Sequence, residues 1–464
     1  MPYYYLIGLL LVLLAVYSAI HALLNKADSR AAFGWIAVSL LFPLFGPVLY
    51  FLFGVNRVHA RAKKLENIAP KIHHHEKNFQ SEIPDSLRNV QQISYQLTKL
   101  PLTGGNTIDV LFSGERAYPA MLECINMAKK YIYLSAYIFK VDDLGTKFVE
   151  ALIQANNRGV DVYVLIDGVG EYYGKIKARK ILSRNKVKVE RFLPLKLFPF
   201  NMYINLRNHR KMLIIDDEVC FVGGMNISHE YMNANNLSLR DTHFKITGDL
   251  TYQLKELFIS DWNFVKGDVS KKKPDEFSLS SEPTWCRVIT DGPGENIGHL
   301  STVIFSAINA ATKSIVIMTP YFLPNKEILR ALQVAALRGV DISVVLPINN
   351  NLNFVNWACQ HMLSQLIIYG VKIYYQPPPF DHSKIFVVDE YYSLIGSANI
   401  DPRSLRLNYE VGVEVYDSHM ASKLMQHSRD IIRISKQLTL NELEQRSLWV
   451  KMRDGIAWLF SPYL

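Results

Sequence analysis

One polar pattern occurs twice in this sequence, once in each half. It reads His-x-Lys-x4-Asp and is followed, seven residues after the Asp, by a Gly-Gly or Gly-Ser pair and then an Asn. In the first copy the members are His209, Lys211, Asp216, Gly224 and Asn226, and in the second they are His382, Lys384, Asp389, Ser397 and Asn399.

These side chains suit the transfer of a phosphoryl ester. One imidazole can attack phosphorus and form a covalent phospho-histidine. The other can protonate the leaving oxygen and then deprotonate the incoming hydroxyl. Two lysines and two asparagines can hold the non-bridging oxygens as negative charge builds. The carboxylates are not clustered as Mg²⁺ ligands would be, so neither a metal nor another cofactor is expected.

Each copy predicts a β-hairpin that presents these groups. Because alternate side chains of a strand share a face, each His projects together with the Lys two residues later. Asp216 and Asp389 have the opposite parity and lie at the turn, where a carboxylate can accept backbone N–H groups, so we expect them mainly to shape the hairpins. Asn226 and Asn399 return on the partner strand, near enough to add donors, and Gly224 lets the backbone approach a ligand.

The hairpins belong to a longer internal repeat. The runs that begin at Ala128 and Ala151 in the first half match runs that begin at Ala311 and Ala331 in the second. Each half reads strand, helix, strand, with the helix ending at an Arg-Gly dipeptide. The alternation indicates a largely parallel sheet covered by helices, and the two copies indicate two α/β domains related by a pseudo-twofold axis.

The N-terminal part predicts a membrane anchor. Residues 6–24 and 31–54 are uncharged runs of 19 and 24 residues. Each is long enough to cross a hydrocarbon core of about 30 Å as a helix. We expect two transmembrane helices, although Pro43, Gly46 and Pro47 leave a kinked or re-entrant second segment open.

The charges around these runs predict the orientation. Four basic residues lie at 57–64, just after the second run, whereas the loop between the runs carries only Lys26 and Arg30. By the positive-inside rule, a multi-pass anchor then places both the N-terminus and the rest of the chain in the cytoplasm. We divide the chain into an anchor at 1–56, a basic linker at 57–104, a first domain at 105–270 and a second at 271–464.

Composition limits the class of protein. The chain has 464 residues, of which 49% are hydrophobic and 20% charged, which excludes a disordered chain and leaves room for more than one core. Its four cysteines are far apart and form no Cys-x-x-Cys pair, which excludes a disulfide scaffold and a cysteine-rich zinc site. The net charge of +9 favours anionic partners such as phospholipid headgroups, nucleic acid or phosphorylated metabolites.

With these motifs the chain resembles the phospholipase D superfamily, whose mark is the duplicated HKD motif, over about residues 105–430. Within that superfamily it is similar to the bacterial cardiolipin synthases. The matching stretches are PLFGPVLYFLFG from Pro43, NLRNHRK before the first motif, Arg240-Asp241-Thr242-His243, Thr319-Pro320-Tyr321-Phe322 and the apolar C-terminal end GIAWLFSPYL. The resemblance implies two similar α/β domains with one active site at their interface, to which each domain contributes one motif.

Alignment of the two repeats adds further residues. Aligning DTHFKITG with EVGVEVYD places Asp241 opposite Glu410. Either these are ordinary surface acids near a strand start, or each carboxylate binds the far imidazole nitrogen of a histidine and fixes its tautomer. The pair Gly224 and Ser397 differs between the motifs, so a hydroxyl contact to phosphate is available from one side only. Arg207 and Arg403 are either additional phosphate ligands or solvated surface arginines.

Two apolar segments have two interpretations each. Residues 193–205, just before the first motif, are either a buried crossover or a loop that dips into the bilayer. Trp449, Ile456, Trp458, Leu459 and Phe460 near the C-terminus either pack in the core or rest on the membrane interface.

The function expected from this resemblance is phosphatidyl transfer at a membrane. Phosphatidylglycerol would give its phosphatidyl group to a histidine and release glycerol, and a second phosphatidylglycerol would accept the group to form cardiolipin. The same residues would serve a hydrolytic phospholipase D or, less favoured, a phosphodiesterase nuclease; the membrane segments argue against nucleic acid as a partner. The resemblance favours His209 as the nucleophile, whereas the symmetry of the motifs leaves the choice open, and the sequence does not indicate the oligomeric state.

Overall fold

The computed structural model of the chain describes residues 2–26, 29–54, 83–194, 206–232, 239–266, 284–292 and 298–461. The predicted basic cluster at 57–64, the boundary predicted at 270/271 and most of the apolar run 193–205 lie outside the described residues. The chain divides into two compact units, Met1–Ala69 and Pro70–Leu464.

The described residues form helices and strands as follows. The helices are α1 (Pro2–Asn25), α2 (Ser29–Leu41), α3 (Gly46–Leu49), α4 (Asp85–Thr98), α5 (Gly114–Met127), α6 (Asp143–Asn157), α7 (Ala178–Arg184), α8 (Leu250–Lys266), α9 (His299–Ala310), α10 (Lys326–Leu337), α11 (Asn353–Met362), α12 (Ser364–Ile367), α13 (Pro402–Arg406), α14 (Ser418–Arg433), α15 (Leu440–Glu444) and α16 (Leu448–Leu459). The strands are β1 (Thr107–Leu111), β2 (Tyr131–Ala136), β3 (Asp161–Asp167), β4 (Lys188–Phe192), β5 (Met212–Ile215), β6 (Val219–Gly223), β7 (His243–Thr247), β8 (Trp285–Asp291), β9 (Ser314–Met318), β10 (Asp341–Pro347), β11 (Lys372–Gln376), β12 (Ile385–Val388), β13 (Tyr392–Gly396), β14 (Glu410–Tyr416) and β15 (Lys436–Gln437).

The second unit contains two similar mixed sheets. The strand order is β1-β7-β6-β5-β2-β3-β4 in the first and β15-β11-β10-β9-β12-β13-β14-β8 in the second. The prediction of largely parallel sheets is wrong, because only β2-β3-β4 and β9-β10-β11 pair in parallel. The motif hairpins β5-β6 and β12-β13 are antiparallel because a tight turn reverses the chain, and β5 and β12 also pair antiparallel with the neighbouring strands β2 and β9. The remaining strands on that side of each sheet are antiparallel as well.

Each sheet has its own hydrophobic core. The motif strands β5 and β12 are buried along their whole length, as their continuous apolar sequences MLII and IFVV require. Helices such as α6 and α10 cover the sheets with apolar faces that include Phe148 and Leu332. The two cores hold the strand ends, and hence the motifs, in fixed positions.

Part of the predicted linker is a packed helix instead. Helix α4 buries Leu87 and Val90 in the core of the second repeat, and the Ser94 hydroxyl donates to Glu414 at 2.9 Å. The amphipathic spacing of these residues was the available signal, because an apolar stripe at helical spacing drives a helix onto a core even in a polar segment.

The described part of the first unit does not contain two long helices. Among the described residues, α1 is the one helix long and apolar enough to cross a membrane. The predicted second span is broken: α2 ends at Leu41, a turn follows at Pro43, and α3 leads into a π-helical turn at Tyr50–Gly54. Gly46 allows this reversal, because a Cβ there would overlap the carbonyl of Val38.

Candidate active site

The two motif hairpins have the same turn. Asp216 and Asp217 in the first, and Asp389 and Glu390 in the second, all have positive φ angles between 53° and 62°. This left-handed pair matches the right-handed twist of the flanking strands, and Asp tolerates it because its short carboxylate bonds locally.

The motif aspartates bind the main chain. Asp216 accepts the backbone N–H groups of residues 129–131 at 2.6–2.8 Å. Asp389 accepts those of residues 312–314 at 2.7–2.9 Å and the Thr312 hydroxyl at 2.8 Å. Both carboxylates thus tie the hairpin turn to the start of a parallel strand, at the far end of β5 or β12 from the histidine.

Each histidine is paired with a carboxylate of the other repeat. Nδ1 of His209 lies 2.8 and 3.0 Å from the two carboxylate oxygens of Glu410. Nδ1 of His382 lies 2.8 Å from Oδ2 of Asp241. The structure therefore places each of the two predicted acids beside a histidine, and it does so crosswise between the repeats, which the alignment had not indicated.

Two short parallel bridges produce this crossing. Asn208 pairs with Tyr409, and Arg240 pairs with Asp381. The backbone N–H of His209 donates to Tyr409 at 2.9 Å, and that of His382 donates to Arg240 at 2.7 Å. Glu410 follows the first bridge in the chain and Asp241 follows the second. Each bridge therefore places an acid beside the histidine of the other repeat.

Both motif lysines are buried beside the histidines. Nζ of Lys211 donates to the carbonyl of His209 at 2.8 Å, and Nζ of Lys384 lies 2.9 Å from Nδ1 of His382. Burial lowers the pKa of Lys211 to about 7 and that of Lys384 to about 8, and repulsion from the Lys384 ammonium adds to the shift of Lys211. A bound phosphodiester anion would relieve this repulsion.

The two histidine–carboxylate pairs differ electrostatically. Burial lowers the pKa of His209 to about 4, although Glu410 opposes the shift. Burial alone would raise the pKa of Glu410, but His209, Lys211 and Ser397 hold it below its usual value. In the other pair, burial raises the pKa of Asp241 to about 7, although Lys384 opposes it. Burial, with Lys384 next, lowers the pKa of His382 well below the usual value.

The difference between Gly224 and Ser397 serves these acids. A Cβ at position 224 would overlap both carboxylate oxygens of Asp241, so only glycine leaves room for that carboxylate. The Ser397 hydroxyl instead donates to Glu410 and accepts the backbone N–H of Val411 at 3.1 Å. Gly224 and Ser397, which we predicted near the substrate, both contact the carboxylates that hold the histidines.

The two motif asparagines occupy different surroundings. Asn226 donates to the Tyr231 hydroxyl at 3.1 Å and accepts the backbone N–H of Ile138 at 3.1 Å. Asn399 donates to the Ser404 hydroxyl at 3.3 Å, and its buried Oδ1 has no partner among the described protein groups. The ring of Tyr231 lies 6.4 Å from that of His382, so Asn226 is linked to this histidine through the side chain of Tyr231.

Sequence reasoning missed the aromatic walls of the site. The ring of Tyr137 stands edge-on to His209 at 5.2 Å, and that of Tyr321 stands edge-on to His382 at 6.0 Å. Both tyrosines come just after a parallel strand of their repeat, although they are one position apart in the register of the repeat, with Tyr137 matching Pro320.

The arginines near the first motif are structural partners. Arg207 is buried and pairs with Asp167 at 3.3 Å, so it is not a solvated surface residue. Arg210, which sequence reasoning did not single out, forms a buried ion pair with Asp261. Arg403 lies in α13, partly exposed, on the segment that leads to Glu410. Within the described ranges, no three His, Cys, Asp or Glu residues cluster as a metal site would need.

The sequence of this chain is similar to those of known proteins. A family model described as cardiolipin synthase, PLD-like domain, matches residues 121–262 and 304–432, and a phospholipase D-nuclease N-terminal model matches residues 13–54. The major cardiolipin synthase ClsA of Bacillus subtilis is 32% identical over 481 residues, which cover 99% of this chain and 98% of that protein. A cardiolipin synthase of Listeria monocytogenes is 32% identical over 487 residues, with 99% of both chains covered.

A solved structure shares the fold. The phosphatidylserine synthase of Haemophilus influenzae superposes with a TM-score of 0.63 at 18% identity, covering 81% of this chain and all of that one. At this identity the likeness shows the fold alone, with its two repeats.

Proposed function

Because this chain belongs to the cardiolipin synthase family of phospholipase D-like proteins, we propose that it joins two phosphatidylglycerol molecules into cardiolipin with His209 as the nucleophile. It is an enzyme that transfers phosphatidyl groups. The observation that carries the assignment of roles is the crossed pairing, in which Glu410 holds Nδ1 of His209 at 2.8 Å. With the proton on Nδ1, Nε2 keeps the lone pair that can react.

The first half-reaction forms a phosphatidyl-histidine. Nε2 of His209 attacks phosphorus, the bond from phosphorus to the glycerol headgroup oxygen breaks, and His382 gives its proton to that oxygen so that glycerol leaves. A bound phosphodiester places negative charge beside Lys384 and Lys211, which raises the proton affinity of His382 from its depressed value and lets it act as the acid.

The second half-reaction passes the group to a lipid. A hydroxyl of a second phosphatidylglycerol attacks the same phosphorus, His382 takes its proton, and the bond between phosphorus and Nε2 of His209 breaks. Cardiolipin leaves and both histidines return to their starting protonation states. One phosphodiester is lost and one is gained, so no activated lipid is needed.

The asymmetry of the two pairs supports His209 rather than His382 as the nucleophile. Glu410 is held ionised, so it stabilises the positive charge that builds on His209 during attack. Nδ1 of His382 is shared between Asp241 at 2.8 Å and Lys384 at 2.9 Å. That competition suits a group whose protonation must change twice in each cycle.

The lysines hold the phosphate in this proposal. Lys211 and Lys384 neutralise the non-bridging oxygens, and the amide oxygen of Asn399, which has no partner among the described protein groups, can accept the incoming hydroxyl. Asp216 and Asp389 keep the hairpins in place, and Asp241 and Glu410 orient the imidazoles.

The competing reactions differ in the acceptor. Water at about 55 M must be outcompeted by the lipid hydroxyl, and an oriented acceptor can reach an effective molarity of about 10⁵ M. A hydrolytic phospholipase D would lack that orientation and release phosphatidic acid. A nuclease would use the same histidines on nucleic acid, but a nucleic-acid substrate gives no reason for an apolar N-terminal helix.

The test is a product balance. The full chain in vesicles with phosphatidylglycerol as the phospholipid should form cardiolipin and glycerol in equal amounts, without a nucleotide-activated lipid and at the same rate with a metal chelator. The His209→Ala variant is the control for contaminating activity. Phosphatidic acid as the main product would support the hydrolase instead, and a need for a nucleotide-activated lipid would exclude the histidine mechanism.

The enzyme is associated with the membrane, and we place its catalytic unit on the cytoplasmic side. The four basic residues at 57–64 directly follow the last apolar segment, and the negative cytoplasmic leaflet favours them. Anionic phospholipids are the expected partners on the same grounds.

A further inference from the structure

An exposed loop with aromatic and basic residues borders the site on the His209 side. After β3, the side chains of Tyr172, Tyr173 and Ile176 are all more than half exposed. Exposed lysines at 175 and 180 alternate with them. The ring of Tyr173 lies 6.1 Å from that of Tyr137, the residue that stands against His209. Aromatic rings interleaved with cations are typical of surfaces that meet anionic headgroups.

The equivalent loop borders the site on the His382 side. After β10, Ile348, Leu352 and Phe354 are exposed. Asn351, within this loop, accepts the hydroxyl of Tyr321 at 2.7 Å, and Tyr321 stands against His382. Both loops follow the carboxyl ends of parallel strands, so they rise from the same edge of their sheets as the site does.

The last helix extends this second loop. In α16, Trp449, Met452, Ile456 and Phe460 recur every three or four residues and form one exposed stripe, with Trp449 at 79% exposure. The opposite side of α16 packs on α11 through the buried Ala457, and Trp458 lies 5.0 Å from the ring of His361. The Phe460 ring is 5.7 Å from that of Phe354, which joins the stripe to the loop.

We propose that these three segments (residues 170–180, residues 348–354 and the exposed stripe of α16), which we call the apolar rim, dock on the anionic surface of a lipid bilayer. The proposal rests on the proposed function only in that the substrate is a lipid. The rim flanks both histidines, so docking would open the site directly to bilayer lipids. Because the lysines at 175 and 180 are positively charged, an anionic bilayer is a more favourable partner than a second copy of this chain, which is equally basic.

The test places a single exposed cysteine on the rim of the full chain. Because the four native cysteines are all buried, a polarity-sensitive thiol dye will label an introduced one selectively. The variants are Tyr172→Cys and Ile456→Cys. The matched control is Leu337→Cys, which is 66% exposed but ends α10 just before β10 begins, at the opposite edge of the sheet. Each is reconstituted in phosphatidylglycerol vesicles with and without a nitroxide-labelled lipid.

The expected result is quenching by the nitroxide lipid at 172 and 456 but not at 337. Equal quenching at all three positions, or none at the rim, would overturn the proposal. Dye self-quenching that rises with the protein-to-lipid ratio at 456 would show a contact between copies and overturn it too. This readout does not need turnover, so it stands or falls separately from cardiolipin formation.

A functional readout follows from the same surface. Ile176→Glu with Ile456→Glu should lower the ratio of turnover on bilayer phosphatidylglycerol to turnover on a dispersed short-chain phosphatidylglycerol by about tenfold or more. Leu337→Glu should leave that ratio unchanged. An unchanged ratio in the double variant would contradict docking by the rim.

A separate observation in the first unit concerns the way the chain crosses the membrane. The apolar segment after α1 returns to the place where it began: Nζ of Lys26 donates to the carbonyl of Gly54. On the way back, the Tyr50 hydroxyl lies 2.7 Å from Nδ1 of His21, near the end of α1. Helix α2 has 13 residues, or about 20 Å, which is short of the roughly 30 Å hydrocarbon core.

The charges fit a returning segment better than a second crossing. Residues 1–25 contain no Lys or Arg, whereas Lys26, Arg30 and the four basic residues at 57–64 all follow α1. A second crossing divides these six as two against four, and a return puts all six on one side. The end of the returning segment packs against α1, where Tyr50 at the π-turn is 1% exposed.

We infer that the chain crosses the membrane once, through α1, and that residues 29–54 form a re-entrant hairpin. The N-terminus then lies outside, and both ends of the re-entrant segment face the cytoplasmic side, as the catalytic unit does. This places Tyr3, Tyr4 and Tyr5 at the opposite interface, where aromatic residues anchor helix ends.

Cysteine accessibility in intact cells decides between the two topologies. An impermeant thiol reagent should label Tyr3→Cys before permeabilisation, and Ala27→Cys and Val58→Cys only after it. Two crossings would instead expose position 27 alone, so any difference in labelling between positions 27 and 58 would overturn the inference. Labelling of both in intact cells, with position 3 protected, would overturn the orientation.

Discussion

The guanidinium of Arg210 donates through Nε to the main-chain carbonyl of Glu410 at 3.0 Å, and through Nη2 to the carbonyl of Asp291 at 3.2 Å. Arg210 belongs to the first motif and Glu410 to the second repeat, so one side chain holds in place the acid that orients His209. The buried ion pair with Asp261 fixes the other side of the same guanidinium.

Replacing Arg210 with Ala should be costly for stability. The change leaves Asp261 buried without its cation, which typically destabilises a protein by about 3–5 kcal/mol. Thermal unfolding in detergent measures this. The double variant Arg210→Met with Asp261→Leu should regain most of the stability but not the turnover, because Glu410 stays unsupported. Full turnover in the double variant would show that Arg210 acts through folding alone.

Loss of either motif histidine should abolish turnover, because each supplies a different function. His209→Ala removes the nucleophile, and His382→Asn removes the acid, a loss that typically costs 10²–10⁴-fold. Brief incubation of the unaltered protein with phosphatidylglycerol carrying ³²P should leave an acid-labile label at position 209, detected by mass spectrometry of peptides. A label at position 382, or activity above a few per cent in both variants, contradicts the assignment.

The pH profile of kcat/KM should be bell-shaped. Lys211 and Lys384 hold phosphate only when protonated, and burial lowers their pKa values to about 7 and about 8, so kcat/KM should fall as pH rises through that range. His209 reacts only when neutral, and burial lowers its pKa to about 4, so the acid limb should lie near that pH.

The control for the alkaline limb is Lys211→Arg. Arginine keeps its charge at all accessible pH values, so the fall should move upward even if the maximal rate is lower. An alkaline limb that does not move in this variant would mean that Lys211 is not the group that titrates.

Gly224→Ala and Ser397→Ala should differ sharply in effect. The new methyl group at 224 overlaps the carboxylate of Asp241 and displaces it from His382, so turnover should fall by about 100-fold or more. At 397 the loss is one hydrogen bond to Glu410, which should raise the pKa of that carboxyl and reduce turnover by about tenfold. The comparison is of kcat in the same micelles, with unfolding temperature as the check on folding; equal losses would mean that neither residue acts through its acid.

Local sequence predicted the local parts of the site. Residue parity placed His and Lys on one face, and the turn position of Asp216 anticipated a carboxylate that binds backbone N–H groups. The crossing of Glu410 to His209 depends on a bridge between residues 201 positions apart, which no local pattern encodes. The aromatic walls and Arg210 were missed for the same reason.

The largest departures concern chain direction. The alternation of strands and helices predicted the parallel strands but not that the motif hairpins would insert antiparallel beside them. Similarly, the apolar content of residues 31–54 matched a span, although Pro43, Gly46 and Pro47 left a re-entrant segment open. The close approach of Gly46 to Val38 and the contact of Lys26 with Gly54 show that the chain doubles back. Composition measures how apolar a segment is, and it does not measure which way the segment runs.

The crossed pairing has a consequence for how the two repeats can diverge. If they were identical separate subunits in a symmetric dimer, any substitution beside one histidine would appear beside the other as well, because a twofold interface uses the same patch twice. Carried on one chain, each patch can change alone. The combinations Gly224 with Asp241 and Ser397 with Glu410 are such independent solutions, and in the proposed mechanism one serves the proton carrier and the other the nucleophile. Because both repeats lie on one chain, a two-step reaction can use two histidines in different surroundings. A symmetric dimer of identical repeats could not provide this.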